Sequence, residues 1–166
     1  MEVNENKVKS FEKFLNYSNP LGTTYVLKPG KSVVNMPVNF QDVKDPIIDS
    51  IKKLHASLPP FNYSPVPFSE FHSRKFVTVK KLPNGDWYEG QWSESTGKRD
   101  GFGYCISPEG NSIYEGYWHE GTQHGFGRII LVNGYYEGDW VTNQRHGTGK
   151  YVWNVGDWYE GDWANS

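Results

Sequence analysis

One cysteine, Cys105, in 166 residues excludes an internal disulfide framework and a cysteine-based zinc cluster. No apolar run comes near the roughly 20 residues that a membrane-spanning helix needs, and mean hydropathy is −0.71. Met1–Lys7 lacks the apolar core of a secretory leader, and the absence of arginine before Arg74 argues against a mitochondrial presequence. Lys28-Pro29-Gly30-Lys31 is glycine-poor and lacks the strand–loop–helix setting of a phosphate-binding loop. A soluble cytoplasmic chain is expected, with no cofactor.

Tryptophan is missing from the first 86 residues, and this absence divides the chain. All seven Trp lie at or after Trp87, and 16 of the 18 Gly lie past residue 80, whereas eight of the ten Pro lie before it. Residues 1–80 carry a net charge of +4 and residues 81–166 a net −6. A proline-rich basic extension, 1–73, is therefore expected to precede an acidic array rich in Gly, Trp and Tyr, 74–166.

The array repeats. Tyr88-Glu89-Gly90-Gln91-Trp92 recurs as Tyr114-Glu115-Gly116-Tyr117-Trp118, Tyr136-Glu137-Gly138-Asp139-Trp140 and Tyr159-Glu160-Gly161-Asp162-Trp163, the tyrosines 26, 22 and 23 residues apart. Between these lie Asp100-Gly101-Phe102-Gly103, His124-Gly125-Phe126-Gly127 and His146-Gly147-Thr148-Gly149. Strand alternation puts each Tyr, Gly and Trp of the first motif on one face. The glycines of the second offer no side chain, so they form a seat for a ring from the neighbouring strand. Asn-Gly and Pro-Asn-Gly sequences supply the turns. Four hairpins are predicted, at about 75–92, 102–118, 126–140 and 148–163, each stacking on the next because none can bury its ring-bearing face alone.

These residues resemble MORN repeats (membrane occupation and recognition nexus). Residues 114–127 fit that family's pattern at Tyr114, Gly116, Trp118, Gly121, His124, Gly125 and Gly127; in the next copy Asn143 replaces the middle Gly, and in the first Asp100 stands where His is expected. The resemblance implies a mainly β protein, an elongated twisted antiparallel sheet of stacked hairpins with an aromatic-lined groove. It also implies a non-enzymatic scaffold that binds other proteins of a larger assembly. Short MORN-only proteins of this kind occur in ciliary axonemes, notably radial spoke heads, and in the cortical cytoskeleton. The alternatives it leaves are a peripheral membrane tether and a regulatory fragment of a larger MORN-containing enzyme.

In the extension, Val8, Phe11, Phe14 and Leu15 fall at helical spacing, predicting a helix over about 4–16. Tyr25-Val26-Leu27 and Val33-Val34 are short strand candidates. Asp45-Pro46 followed by Ile47, Ile48, Ile51, Leu54 and Leu58 predicts a second helix over about 46–57. A proline/aromatic linker, 59–73, follows; its Pro59–Phe71 stretch is read as a clamp over one end of the groove or along a partner.

The candidate partner-binding groove is Tyr88, Trp92, Tyr114, Trp118, Tyr136, Trp140, Tyr159 and Trp163, eight rings of one strand phase. Gly90, Gly101, Gly103, Gly116, Gly125, Gly127, Gly138, Gly147, Gly149 and Gly161 are read as structural. Glu89, Glu115, Glu137 and Glu160 form a ladder in which no pair is singled out as an acid and base would be, so hydrogen bonding rather than catalysis is expected. His124 and His146 lack the further ligands zinc needs, and Cys105 has no activating partner in sequence. The net −6 of residues 81–166 opposes nucleic acid, and the basic residues of the first half are too dispersed for an anionic-lipid patch. The last strand is an edge, so self-association or another subunit is expected to cover it.

Overall fold

A row of glycines runs across seven strands of an eight-stranded antiparallel sheet and fixes their register. The computed structural model describes residues 17–18 and 24–25 (backbone only), 47–63, 74–164 and 166. In chain order the elements are β1 (Tyr17–Ser18), β2 (Thr24–Tyr25), α1 (Asp49–Ser57), β3 (Arg74–Lys81), β4 (Trp87–Ser93), β5 (Arg99–Ile106), β6 (Ser112–His119), β7 (Thr122–Leu131), β8 (Gly134–Val141), β9 (Gln144–Trp153) and β10 (Trp158–Trp163). β1 pairs with β2; β3 to β10 form one open sheet in sequential order. Gly90 faces Gly103, Gly103 faces Gly116, and the row continues through Gly127, Gly138, Gly149 and Gly161.

The four predicted hairpins are present, but their first strands start earlier, at residues 74, 99, 122 and 144. For the starts at 122 and 144 the cause is the connection between units, which is itself a tight turn. Glu120 and Gly121 have φ of 50° and 88°, and Thr142 and Asn143 have 51° and 65°, the positive pair that a two-residue primed turn requires. Asn143 thus replaces the motif glycine with the side chain that best tolerates this conformation.

One face of the sheet carries Tyr88, Tyr114, Trp118, Tyr136, Trp140 and Tyr151. The other is covered by the described part of the extension. Ile47 and Ile51 of the α1 segment pack on Trp87, Tyr104, Ile106, Ile113 and Ile130; beyond it, Phe61 and Tyr63 pack on Phe102, Tyr117 and Phe126. The second helix is therefore confirmed but shorter than predicted, 49–57 rather than 46–57. Ile48 is extended (ψ 127°) because its N–H is bonded to the Gly110 carbonyl at 3.1 Å, so helix propagates only from Asp49. Asp45 and Pro46, the helix over 4–16, Val26, Leu27, Val33-Val34 and linker residues 64–73 lie outside the described residues; Tyr25 falls in β2.

Candidate functional site

The alternation of Tyr and Trp on one strand face, repeated at a fixed register, brings all eight groove residues into one string. The rings follow one another as Trp92, Tyr88, Trp118, Tyr114, Trp140, Tyr136, Trp163 and Tyr159, centroids 4.9–5.9 Å apart and interplanar angles 60–90°. This is the edge-to-face geometry that places the positive rim of one ring on the negative face of the next. Each interior tyrosine touches the tryptophan of its own unit and that of the following unit.

The glycines make this string possible. A Cβ on Gly103 would lie 2.7 Å from Cζ of Tyr88, one on Gly127 2.7 Å from Cζ of Tyr114, and one on Gly149 2.5 Å from Cζ of Tyr136. Each ring thus lies flat on the glycine of the next strand, as the sequence spacing predicted. Its hydroxyl has a second task that the sequence did not disclose. The pairing slips between Gly90 and Trp92, Gly116 and Trp118, and Gly138 and Trp140, a bulge that disrupts the local ladder. The residue within each slip, and its counterpart Asp162, receives the tyrosine O–H on its carbonyl: Tyr88 to Gln91, Tyr114 to Tyr117, Tyr136 to Asp139 and Tyr159 to Asp162, at 2.6, 2.9, 3.0 and 3.1 Å. Tyr114→Phe should therefore cost about 1–3 kcal/mol by orphaning a buried carbonyl, read as a fall in chemical-denaturation midpoint with an unchanged m value.

Burial divides the eight. Tyr88, Tyr114, Trp118, Tyr136 and Trp140 are 0–4% exposed, Trp92 and Trp163 are half-buried, and Tyr159 is exposed. Cations lie on the rings: Arg99 is 4.0 Å from the Trp118 centroid, Arg145 5.0 Å from Trp163 and Lys80 5.0 Å from Trp92. Among the eight, accessible ring surface is greatest at Tyr159. The β9–β10 hairpin also exposes Trp153 and Val155, at 37% and 82%, and, on the opposite face over Lys150, Trp158 at 61%.

The glutamate ladder lies on the opposite face. Glu115 accepts from Nε and Nη2 of Arg128 at 2.9 and 2.6 Å and pairs with Nε2 of His55 at 2.9 Å. Burial alone would raise its pKa, but the His55 bond and the Arg128 charge outweigh that and hold it below the ordinary carboxylate value. Arg128 also bonds the Pro59 carbonyl at 3.0 Å, lies over the Phe61 ring and reaches Glu137 at 3.5 Å. One buried guanidinium thus ties the helix, the following segment and two repeats together. Of the Pro59–Phe71 stretch expected to fold over one end of the groove or lie along a partner, the described residues 59–63 do not cover the groove: Phe61 and Tyr63 lie on the opposite face, because the phenylalanines of Gly-Phe-Gly point there, and Tyr117 Oη donates to the Tyr63 carbonyl.

Asp100, the residue that departs from the repeat pattern, is buried against Arg74 (Nε to Oδ1 2.6 Å) and accepts the Glu120 N–H at 3.2 Å. It anchors the first strand, which explains a substitution that the sequence only flagged. Cys105 is buried, and that burial pushes its thiol up to about 12, keeping it protonated at neutral pH. His124 is shifted down by partial burial and by His119, 5.6 Å away. Among the described residues no three His, Cys, Asp or Glu side chains are grouped to hold a metal, and no helix is long and apolar enough to cross a membrane.

Compared with known families, the chain matches the MORN repeat in three consecutive stretches, 88–112, 114–134 and 136–158. They lie wholly within the array and cover less than half of the chain. No curated protein matches it.

Proposed function

From an array that belongs to the MORN-repeat family over residues 88–158, we propose that this protein is a non-enzymatic scaffold that binds other proteins through the exposed end of its sheet. MORN repeats are protein and membrane interaction modules. The observation that carries the protein reading is the gathering of Trp153, Val155, Trp158 and Tyr159 on one hairpin, all exposed. Trp and Tyr are the side chains that dominate interface energies, and here they mark both faces of the sheet's end, Tyr159 beside Trp163 on the tyrosine face and Trp158 over Lys150 on the other. The assembly we propose is a ciliary axonemal one of the radial-spoke type, or a cytoskeletal one, as in the short MORN-only proteins that the array resembles.

Charge supports a protein over a lipid surface. Lys80 and Lys81 lie over Trp92 and Trp87, so both are already engaged on the sheet, and the binding hairpin carries Asp157, Glu160 and Asp162 against only Arg145 and Lys150.

The test compares two variants of the full chain. Trp158→Ser with Tyr159→Ser should release the protein from its cellular assembly while leaving Tm within a few degrees of wild type, since exposed side chains contribute little to folding. Reversal of Lys52, Lys53, Lys80 and Lys81 to Glu should leave it in place. Release by the charge reversal with retention of the ring variant would overturn the scaffold reading in favour of a membrane tether.

A further inference from the structure

Separate apolar clusters lie on opposite faces of the sheet, and those on one face alone contain residues of the extension. The Tyr/Trp cluster is made wholly of array residues, Tyr88, Tyr114, Trp118, Tyr136, Trp140 and Tyr151 among them. On the other face Ile47, Ile51, Phe61 and Tyr63 complete the clusters. The strands beneath them, β4 to β7, are each paired on both edges by other strands of the sheet. The buried charges there are paired inside the array as well. Arg128 donates twice to Glu115, at 2.9 and 2.6 Å, and lies 3.5 Å from Glu137. Departure of residues 47–63 would remove the His55 bond to Glu115 and the Pro59 carbonyl from Arg128. It would leave neither Glu115 nor Arg128 without its opposite charge, so the usual cost of breaking a buried pair is not incurred.

The covering segment, by contrast, cannot hold itself. Its helix, α1, has nine residues and no side-chain cap at Ile48, and isolated helices shorter than about 12–15 residues are marginal in water. Its order comes from the sheet. Ile51 is fully buried against the isoleucine row, and one turn later His55 meets Glu115 at 2.9 Å. The Pro59 carbonyl then meets Arg128 at 3.0 Å, and Phe61 and Tyr63 pack on Phe126, Phe102 and Tyr117. Each anchor keeps the next in place, so loss of one should loosen all.

We propose that residues 47–63 are a strap that leaves and rejoins the sheet as one unit while the array stays folded. The row Trp87, Tyr104, Ile106, Ile113 and Ile130 beneath it is then a helix-binding face that the strap occupies in cis. Contiguous segments that open below the global unfolding free energy are the ordinary units of native-state exchange. The strap's face is distinct from the exposed hairpin of the scaffold reading, and neither depends on the other.

Amide exchange of the full chain, read by mass spectrometry, tests the strap. Ile51→Ser should lower protection over 51–58 by about tenfold or more, since it removes a buried anchor. Protection over β5, β6 and β7 should stay within about threefold of wild type. The milder His55→Ala should loosen 51–58 in the same way and spare the same strands. A labelled synthetic peptide copying residues 47–63 then reads the vacated face. It should bind the Ile51→Ser chain about tenfold or more tighter than wild type, whose tethered strap competes at high effective concentration. Loss of strand protection in step with 51–58, up to unfolding of the Ile51→Ser chain, would make strap and sheet one body and overturn the proposal. Equal binding of the peptide by the two chains would overturn it too, as would unchanged protection over 51–58 in Ile51→Ser.

Discussion

Gly127→Val is expected to destabilise the protein by about 3 kcal/mol, at the upper end of overpacking costs, and to lower Tm by on the order of 10 °C. The side chain has nowhere to go. A Cβ at residue 127 would lie 2.7 Å from Cζ and 2.8 Å from Cε2 of Tyr114. That ring is wedged edge-on between Trp118 and Trp140, and its hydroxyl is bonded to the Tyr117 carbonyl. The ring cannot yield without breaking three contacts. A double variant checks the cause: with Tyr114→Leu present, Gly127→Ala should cost measurably less than it does alone, because contacting residues couple. Additive costs would refute the ring seat.

The second large effect is at Arg128. Its conversion to Met should cost about 3–5 kcal/mol, because breaking a buried pair from one side strands the other charge. Here that charge is Glu115, 6% exposed. The pH dependence identifies it. Glu115 has a folded pKa below its unfolded one, so it contributes stability that is full above the ordinary carboxylate value. That contribution is lost as pH falls through the depressed folded value. In Arg128→Met the depression should shrink or reverse, so the difference from wild type should be largest at neutral pH and narrow towards acid. Protease cleavage should also reach 58–63 faster, because the variant loses the bond to the Pro59 carbonyl and the contact with Phe61. A difference that is constant with pH would place the cost in packing rather than in the ion pair.

The repeat was legible because its signal is redundant: four copies of Tyr-Glu-Gly-x-Trp in phase with three of Gly-x-Gly leave one register in which large rings meet missing side chains. The shared strand phase likewise placed the eight rings together. Ring accessibility was not legible. Counting eight rings against four hairpins suggested a surplus for a ligand, but Tyr88, Tyr114, Trp118, Tyr136 and Trp140 are consumed by one another. Only the three-dimensional alternation of Tyr with the next unit's Trp shows this. The burial of Glu115 and Arg128 beside His55 was equally hidden, since His55 and Glu115 are 60 residues apart and meet only because α1 crosses the sheet. A signal did exist for the segment that follows the helix. Phe102 and Phe126 share the phase opposite to the glycines, marking a second apolar face that something had to cover, and Phe61 and Tyr63 were the nearest aromatic candidates. The tight turns between units went unread because Glu120, Thr142 and Asn143 supply positive φ without the Asn-Gly signature.

The account's central claim is that the motif tyrosines are internal structure and that accessible aromatic surface lies on the last hairpin. Hydroxyl-radical footprinting of the full chain, read residue by residue by mass spectrometry, tests this most directly. The account predicts rapid modification of Trp158 and Tyr159 and strong protection of Tyr88, Tyr114, Tyr136, Trp118 and Trp140. Modification of Tyr114 and Tyr136 as fast as that of Tyr159 would contradict it and restore an open aromatic groove along the whole array.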